Sequence, residues 1–569
     1  MSAVADSPNV QPLEARLAAA MAELAAAQKT IKALSTERDK LRAAYDRATV
    51  ELELLKRRIF VAKAERVDTA QLELEFGRKL AEVEKLAGTI EMPVGEAAAG
   101  APASDGKRRG HAKGGRRDVR DLGLDEQRLE IPDPIFEALV ARGEAARAGF
   151  EESARLTWSG RGMKVLVVAR VKYRVTDRHG VVDVETAPVP TELIERCLAT
   201  PSLLAHIVVA KHCDGLPLHR VEAILAREGC GIDRGTMCRW LDEIGQSLRF
   251  TVCEAMRKDS LHAFCIATDA TGIRILPERG PEAAGQRRPC RRGQIFVQIA
   301  DRDHILFSYQ PRGTSDAAKG LFEGYAGYVQ ADASSVFDAL FGGKADEGGR
   351  EEVACWAHAR RKFWEAASNK CAVAREALLR IGRIFELDAS WKDRPPNEIR
   401  SRRQSFLKTH VTSLMDWVVE QFALVEHQRG DLRSALGYVK RNRVALERFL
   451  SDGRLQMTNN ASERALRGVA VGRKSWLFSG SDGHAESAAA LMSLIASAKL
   501  HGIEPEGYLR DLIRVAPHWE HAPPLALTPK HWKATRALLE PHQLAAEFGH
   551  LDLPAAFPHL VPEEQRPPG

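Results

Sequence analysis

The sequence predicts a multidomain protein of class α + α/β, and three observations carry that expectation. A heptad seam runs through residues 13–60, a strand-rich α/β segment occupies 260–356, and a cation-rich stretch over Thr458–Gly480, opening as a helix, follows a long, basic helical stretch. At 569 residues the chain has room for roughly three to five domains. Hydrophobic and charged fractions of 44% and 28% are ordinary for a globular protein. The net charge of +6 hints at a nucleic-acid partner, and local clustering of cations says more than the total. The nine cysteines are scattered, with no C-x-x-C pair, which fits a reducing compartment and argues against a zinc ribbon or disulfide framework. No apolar run reaches about 18 residues and no signal-peptide pattern opens the chain, so a soluble cytoplasmic protein with no membrane partner is expected.

Within 13–60, Leu13, Leu17, Ala20, Leu24, Ala27, Ile31, Leu34, Leu41, Tyr45, Ala48, Leu52, Leu55 and Ile59 recur at steps of three and four, with Arg38 the polar intruder. That is a coiled-coil pattern, and self-association as a homodimer or higher oligomer is its natural consequence. A long helix packed on its own chain remains the alternative. Residues 61–119 hold a helical segment and then a Gly/Ala/Pro linker carrying Lys107, Arg108, Arg109, Lys113, Arg116 and Arg117. A flexible basic tract can follow a DNA backbone, although a solvated spacer is equally compatible.

Residues 120–190 read as a small α/β module: a helix over Pro132–Gly149, then strands LTWSG, VLVVARVKYRV and VVDVETAP. In the second strand Val167, Ala169, Val171, Tyr173 and Val175 share one face and Arg170, Lys172 and Arg174 the other. Residues 191–250 hold a helix-turn-helix candidate. Leu218–Arg227 and Asp233–Gly245 flank a Gly-containing turn, with Arg234, Thr236 and Arg239 placed to face a DNA groove and Met237, Trp240, Leu241 and Ile244 inward. Such helix pairs also occur in ordinary α-rich cores.

Residues 260–356 run strand, strand, strand, helix, strand, helix, strand, the order of a ribonuclease H-like sheet. Asp269 lies inside the first strand and Asp332 ends the fourth. Residues 357–455, rich in Arg and carrying Trp364, Trp391 and Trp417, form an α-helical insertion, and 456–498 return to the core. There Glu463 sits in an early turn of a helix capped by Asn459 or Asn460. Arg464, Arg467, Arg473, Lys474 and Trp476 surround it, suited to holding phosphate near a metal. An amphipathic surface helix with internal ion pairs is the bland reading. A helical segment over 499–520 and a flexible, Pro-rich tail over 521–569 complete the chain.

Three carboxylates gathered on a sheet and a helix have a plain use, since hard oxygens suit two Mg²⁺ or Mn²⁺ ions in an in-line phosphoryl displacement. No phosphate-binding Gly-x-x-x-x-Gly-Lys loop appears, which argues against an NTP-driven mechanism. The segments KHCDGLPLHRVEAILAREG, VQADASSVFDAL, CWAHARRKFWEA, NNASERALRGVAVGRKSWLFSGSDGHAESAA and KLHGIEPEGYLRDLI resemble, in order, the insertion sequence 66 family of bacterial transposases over roughly residues 13–515. The resemblance implies a DDE transposase that cleaves element ends and transfers the 3′-hydroxyl into target DNA, with Asp269, Asp332 and Glu463 as its catalytic, metal-holding triad. It also implies DNA as partner, with accessory proteins an open possibility, and association with the nucleoid. The family's zinc-binding cysteines have no counterpart in residues 120–190, so zinc is not expected. Ala270 and Gly272 also depart from the family's pattern after the first carboxylate. A ribonuclease H-like endonuclease without strand transfer, and a catalytically inactive dimeric helix-turn-helix protein, stay open as alternatives.

Overall fold

The computed structural model describes residues 119–561 apart from 161, 177–181, 277–288, 333–334, 342–348 and 369–370, and in the N-terminal stretch residues 21, 26, 28–37, 40 and 41. The chain divides into two units, Met1–Gly114 and Gly115–Gly569. In the first, residues 28–37 are helical, and Ile31 and Leu34 stand exposed. Leu41 is also helical and half-buried, while the other heptad positions, and Lys107, Arg108, Arg109, Arg116 and Arg117, lie outside the described residues.

The second unit opens with a four-stranded sheet. β1 (Glu126–Ile131) pairs parallel with β3 (Gly162–Thr176), and β3 pairs antiparallel with both β2 (Ala145–Ser159) and β4 (Val182–Thr186). The helix between β1 and β2, α1 (Pro134–Ala141), is capped by Asp133, whose carboxylate accepts from the Ile135 and Phe136 N–H groups. It is shorter than the Pro132–Gly149 helix expected from sequence. Gly143 turns the chain at φ +77, and Ala145 already pairs with Val175. Val167, Ala169, Val171 and Tyr173 are buried together as the alternation predicts. The other face is not solvated throughout, because Leu166 and Val168 bury against Ile131 and Phe548. Arg170 donates to the Ala187 carbonyl at 2.7 Å and pairs with Glu151, so it is a structural cation.

Three helices follow: α2 (Pro201–His212), α3 (Leu218–Arg227) and α4 (Arg234–Leu248). The Asp233 carboxylate caps α4 through the Gly235 and Thr236 N–H groups. Met237, Trp240, Leu241 and Ile244 are buried, while Arg234 and Arg239 are not. Helix α5 (Glu254–Ser260) then leads into a five-stranded sheet. Its strands are β5 (Cys265–Ile275), β6 (Arg291–Ala300), β7 (His304–Gln310), β8 (Tyr328–Ala331) and β9 (Glu351–Ala354), in the order β7-β6-β5-β8-β9. The β5–β6 and β6–β7 pairs are antiparallel, and the β5–β8 and β8–β9 pairs parallel. Helices α6 (Ser315–Leu321) and α7 (Ser335–Asp338) make the crossovers that parallel pairs require.

Residues 356–447 are helical throughout their main elements: α8 (Trp356–Ser368), α9 (Ala372–Ala389), α10 (Pro396–Arg402), α11 (Lys408–Val425), α12 (Asp431–Arg441) and α13 (Arg443–Glu447). They share their own core around Trp356, Phe363, Leu414 and Phe449. Arg403 belongs to that core. Only 3% exposed, it pairs with Asp388 and donates to the carbonyls of Phe449, Asp452 and Leu455. It contributes nothing to a basic outer face.

Helix α14 (Asn460–Trp476) packs Leu466 and Val469 on Ile273, Ile275, Ile295 and Val297 of the sheet. Helix α15 (Asp482–Leu500) then runs between β7 and α4. A Cβ on Gly245 of α4 would stand 2.7 Å from the Ser487 Cα and 2.8 Å from its carbonyl oxygen, so glycine is what lets α4 and α15 cross this closely. Helix α16 (Pro505–Val515) joins the same core as α2, α4 and α15.

The tail is not loose. Residues 529–537 and 541–545 form α17 (Pro529–Ala537) and α18 (Pro541–Ala545), and Trp532, Leu539, Leu544, Phe548, Leu551 and Phe557 are buried. Arg514 fixes the last loop by donating to Ala546 and Gly549 carbonyls. These helices are too short to display a period, which is why the sequence read as aperiodic. Residues 562–569 lie outside the described residues. Among the described residues no helix is long and apolar enough to cross a membrane.

Candidate active site

Sheet register brings the two aspartates level. The parallel ladder matches Cys265 with Tyr328, Ile266 with Val329 and Ala267 with Gln330. Two residues beyond the last pair stand Asp269 and Asp332, and the two-residue period of a strand turns both toward the same face. The Tyr438 hydroxyl of α12 donates to the Asp332 carbonyl at 3.1 Å, so the helical insertion reaches back to hold this strand end.

Glu463 arrives on α14, and Asn459 determines where that helix begins. Asn459 is fully buried. Its side-chain amide donates to the Thr268 carbonyl at 2.7 Å, one residue before Asp269, and its oxygen accepts from the Ser462 hydroxyl at 2.7 Å. Its backbone N–H points at the Cys355 sulfur, 3.2 Å away. The expected role as a side-chain cap is therefore not what Asn459 does, since no helix N–H bonds its side chain. It ties the start of α14 to β5 instead, and Glu463 follows one turn later. Asn460 opens the helix and is exposed.

The electrostatics register this proximity. Burial pushes the Asp269 carboxyl up to about 6, the Ala270 N–H at 2.7 Å pulls the other way, and the charges of Asp332 and Glu463 add to the rise. A neighbour that sequence reading did not single out is His358 on α8, whose Nε2 lies 3.6 Å from a Glu463 carboxylate oxygen. Its Nδ1 is buried without a hydrogen-bond partner. The signal for it was the CWAH run, which places a histidine just after a strand end of the same sheet.

The cations after Glu463 separate into two groups. Arg464 and Arg467 are exposed and line a cavity of about 850 Å³ together with Arg234 of α4, Trp476 and Phe478. Helix α4 and the Glu463 helix thus share one groove. Lys474 is exposed on the same helix. Thr236 and Arg239 contact each other, the guanidinium donating to the hydroxyl at 2.9 Å. Arg473 behaves differently, since its Nη1 donates to the Thr271 hydroxyl at 2.9 Å and the Gly272 carbonyl at 2.6 Å. It clamps α14 to β5, a role that the phosphate-contact expectation did not contain. Leu477 then takes φ 62, ends the helix, and lets Ser479 pair with the end of β5 through Arg274 and Leu276. That turn gives the GRKSWLFSGS segment its structural meaning.

Residues 196–487, just over half of the chain, match the model of the family described as Transposase IS66 family. The chain belongs to the IS66 family of transposases. The matched span includes Asp269, Asp332 and Glu463, helices α3 and α4, and all of the helices α8 to α13. Three relatives come from Sinorhizobium fredii (strain NBRC 101917 / NGR234). Uncharacterized protein y4qI is 28% identical over 544 residues, 93% of this chain and 98% of its own length. Uncharacterized protein y4jD is 26% identical over 81% of this chain and 89% of its own length. Uncharacterized protein y4hP is 26% identical over 69% and 73%.

Proposed function

We propose that this IS66-family chain is a DDE transposase that cuts DNA at the ends of an insertion element and joins the freed 3′-hydroxyl to target DNA. The observation that carries the reading is the matching register of Asp269 and Asp332 on neighbouring strands, with Glu463 on the helix that Asn459 ties to β5 one residue before Asp269. The strand order β7-β6-β5-β8-β9, with its first three strands antiparallel and the last two parallel to β5, supports a ribonuclease H-like core.

The residues fit a pair of hard divalent cations. All three contributors are carboxylates, whose hard oxygens suit Mg²⁺ or Mn²⁺, and a bound cation would offset the burial that disfavours the Asp269 charge. Two Mg²⁺ or Mn²⁺ ions held there would supply Lewis-acid stabilisation of the attacking and leaving oxygens. The chain's own residues do the positioning. Asn459 and Arg473 fix α14 on β5 at both ends, so Glu463 keeps its distance from the strand carboxylates. Arg464, Arg467 and Arg234 offer guanidinium groups to DNA phosphates along the shared groove, and the exposed Lys474 adds charge to the same helix. Thr236 and Arg239 on α4, with Lys107, Arg108, Arg109, Arg116 and Arg117 of the linker, are the proposed further DNA contacts. Pairing of chains through the N-terminal heptads, and work in the cytoplasm on nucleoid DNA, belong to the same proposal.

Asp332→Asn tests it. The variant is expected to lose Mg²⁺-dependent end cleavage by about a hundredfold to a thousandfold, as removal of a transition-state charge partner does, while binding end DNA nearly as well as the parent. Retained nicking by the variant would remove Asp332 from the mechanism. Absence of joined product with the parent, target DNA being supplied, would reduce the activity to a nuclease.

A further inference from the structure

Away from the carboxylates, three side chains of different chemistry meet where α4 crosses α15. Cys238 and Asp242 stand one helical turn apart on α4, and His484 is in the first turn of α15. One ligand atom from each lies within 4.8 Å of the others. The His484 Nε2 is 2.9 Å from an Asp242 oxygen, and its Nδ1 is 2.5 Å from the Ser481 hydroxyl. Ser481 also accepts the His484 backbone N–H, so the hydroxyl fixes both the helix start and the ring.

We propose that Cys238, Asp242 and His484 form a zinc site that fastens the second helix of the helix-turn-helix to the catalytic core. Thiolate, imidazole and carboxylate are the ligand types that select zinc, whereas magnesium prefers oxygen alone. A tetrahedral zinc with bonds of about 2.0–2.3 Å holds its ligand atoms roughly 3.3–3.7 Å apart, within the spread these three already have. The Ser481 contact to Nδ1 is the outer support a metal-bound imidazole needs, because it leaves Nε2 to point at the ion.

A second observation comes from α2. His212 lines the same cavity as Cys238 and His484, and its Nε2 is buried with no hydrogen-bond partner. That nitrogen is an unmatched polar atom in the wall that Cys238 and His484 also line. Lys211, next to it, lines the same cavity. Without a metal the same atoms make an ion pair, Asp242 and then Cys238 holding His484 protonated up to about 10. The site explains more than a surface ion pair would. It sits beside the Gly245–Ser487 close approach, and the α4 it ties down carries Arg234 on the groove wall.

The full-length chain, freed of any affinity tag and stripped with chelator, is titrated with Co²⁺ and then Zn²⁺. The expected result is one equivalent of Co²⁺ with thiolate-to-cobalt charge-transfer absorption, displaced by one equivalent of Zn²⁺ and not by Mg²⁺. Cys238→Ser should abolish that absorption, and His484→Gln should weaken zinc binding at least about tenfold. Cys213→Ser, in the same cavity wall, should keep both, with circular dichroism confirming that each variant is folded. Uptake without the thiolate band, a band that survives Cys238→Ser, or no uptake at all overturns the site and leaves an ion pair only. Because the readout is thiolate absorption, failure here leaves the proposed carboxylate centre untouched, and failure of that centre leaves this site standing.

Discussion

Replacing Asp269 by asparagine is expected to stabilise the metal-free protein at neutral pH, the reverse of what removing a buried polar group usually does. The carboxyl's pKa rises from 3.8 to about 6 on folding, so the native state holds its proton more tightly than the unfolded chain does. Between those values the native state binds more protons, and wild-type stability therefore falls as pH rises through about 4 to 6. The contribution is fully present below the unfolded pKa and lost above the folded one. In full this displacement is worth about 3 kcal/mol. The site is only part-buried, and solvent screening brings the expectation to roughly 1–2 kcal/mol. An asparagine at this position would keep a side chain of the same shape without the charge. In chelator at neutral pH, the D269N protein should melt a few degrees above the parent, and the difference should vanish below about pH 4. Mg²⁺ should raise the parent's melting temperature and leave the variant's unchanged. A variant that melts below the parent in chelator, or that gains as much from Mg²⁺, refutes the argument that burial penalises the Asp269 charge and that a cation held there relieves it.

Two further substitutions probe how that cluster is held. Asn459→Ala strips partners from the Thr268 carbonyl and the Ser462 hydroxyl, both in buried surroundings, and should cost about 2–4 kcal/mol in urea unfolding, with Mg²⁺ stabilisation lost as Glu463 shifts. A loss under about 1 kcal/mol would mean that the anchor is dispensable. Gly245→Ala sets two effects against each other: overpacking against the Ser487 backbone costs about 1–3 kcal/mol, and the better helix propensity of alanine returns about 1. Net destabilisation of up to about 2 kcal/mol in thermal melts is expected, and a stabilised variant would show that α4 and α15 can separate freely.

Local pattern made much of this architecture legible, and the limits follow from what local pattern can see. An apolar run that ends in aspartate can be recognised in isolation, so Asp269 and Asp332 stood out as carboxylates on strands. Their parallel register depends on pairing across the sheet, which the run does not encode. β1 was missed because its alternating side chains are mostly exposed and charged, and the C-terminal helices because each is too short for a period to show. Cys238, Asp242 and His484 come from helices far apart in the chain, and no spacing rule links them. His358 stood at a strand end in a segment already noticed, yet its carboxylate partner lies on another helix.

Helix α14 shows how far the same rule can be pushed. Steps of four and three residues link Ser462, Leu466, Val469, Arg473 and Trp476, and this stripe meets the sheet. Steps of three and four link Arg464, Arg467, Val471 and Lys474, all exposed. Arg473 was therefore assignable to the buried stripe from its position alone. Counting it among a ring of cations overlooked that its helical phase differs from that of its neighbours. Glu463 stands between Ser462 and Arg464, at the boundary of the two stripes. That boundary is where a carboxylate must sit to meet strand carboxylates on one side and a groove lined by Arg464 and Arg467 on the other. Moving it by one residue in either direction would bury it beside the Asn459 side chain or turn it out among the guanidinium groups. Its phase on the helix, fixed by the Asn459 anchor, matters to the site as much as its charge.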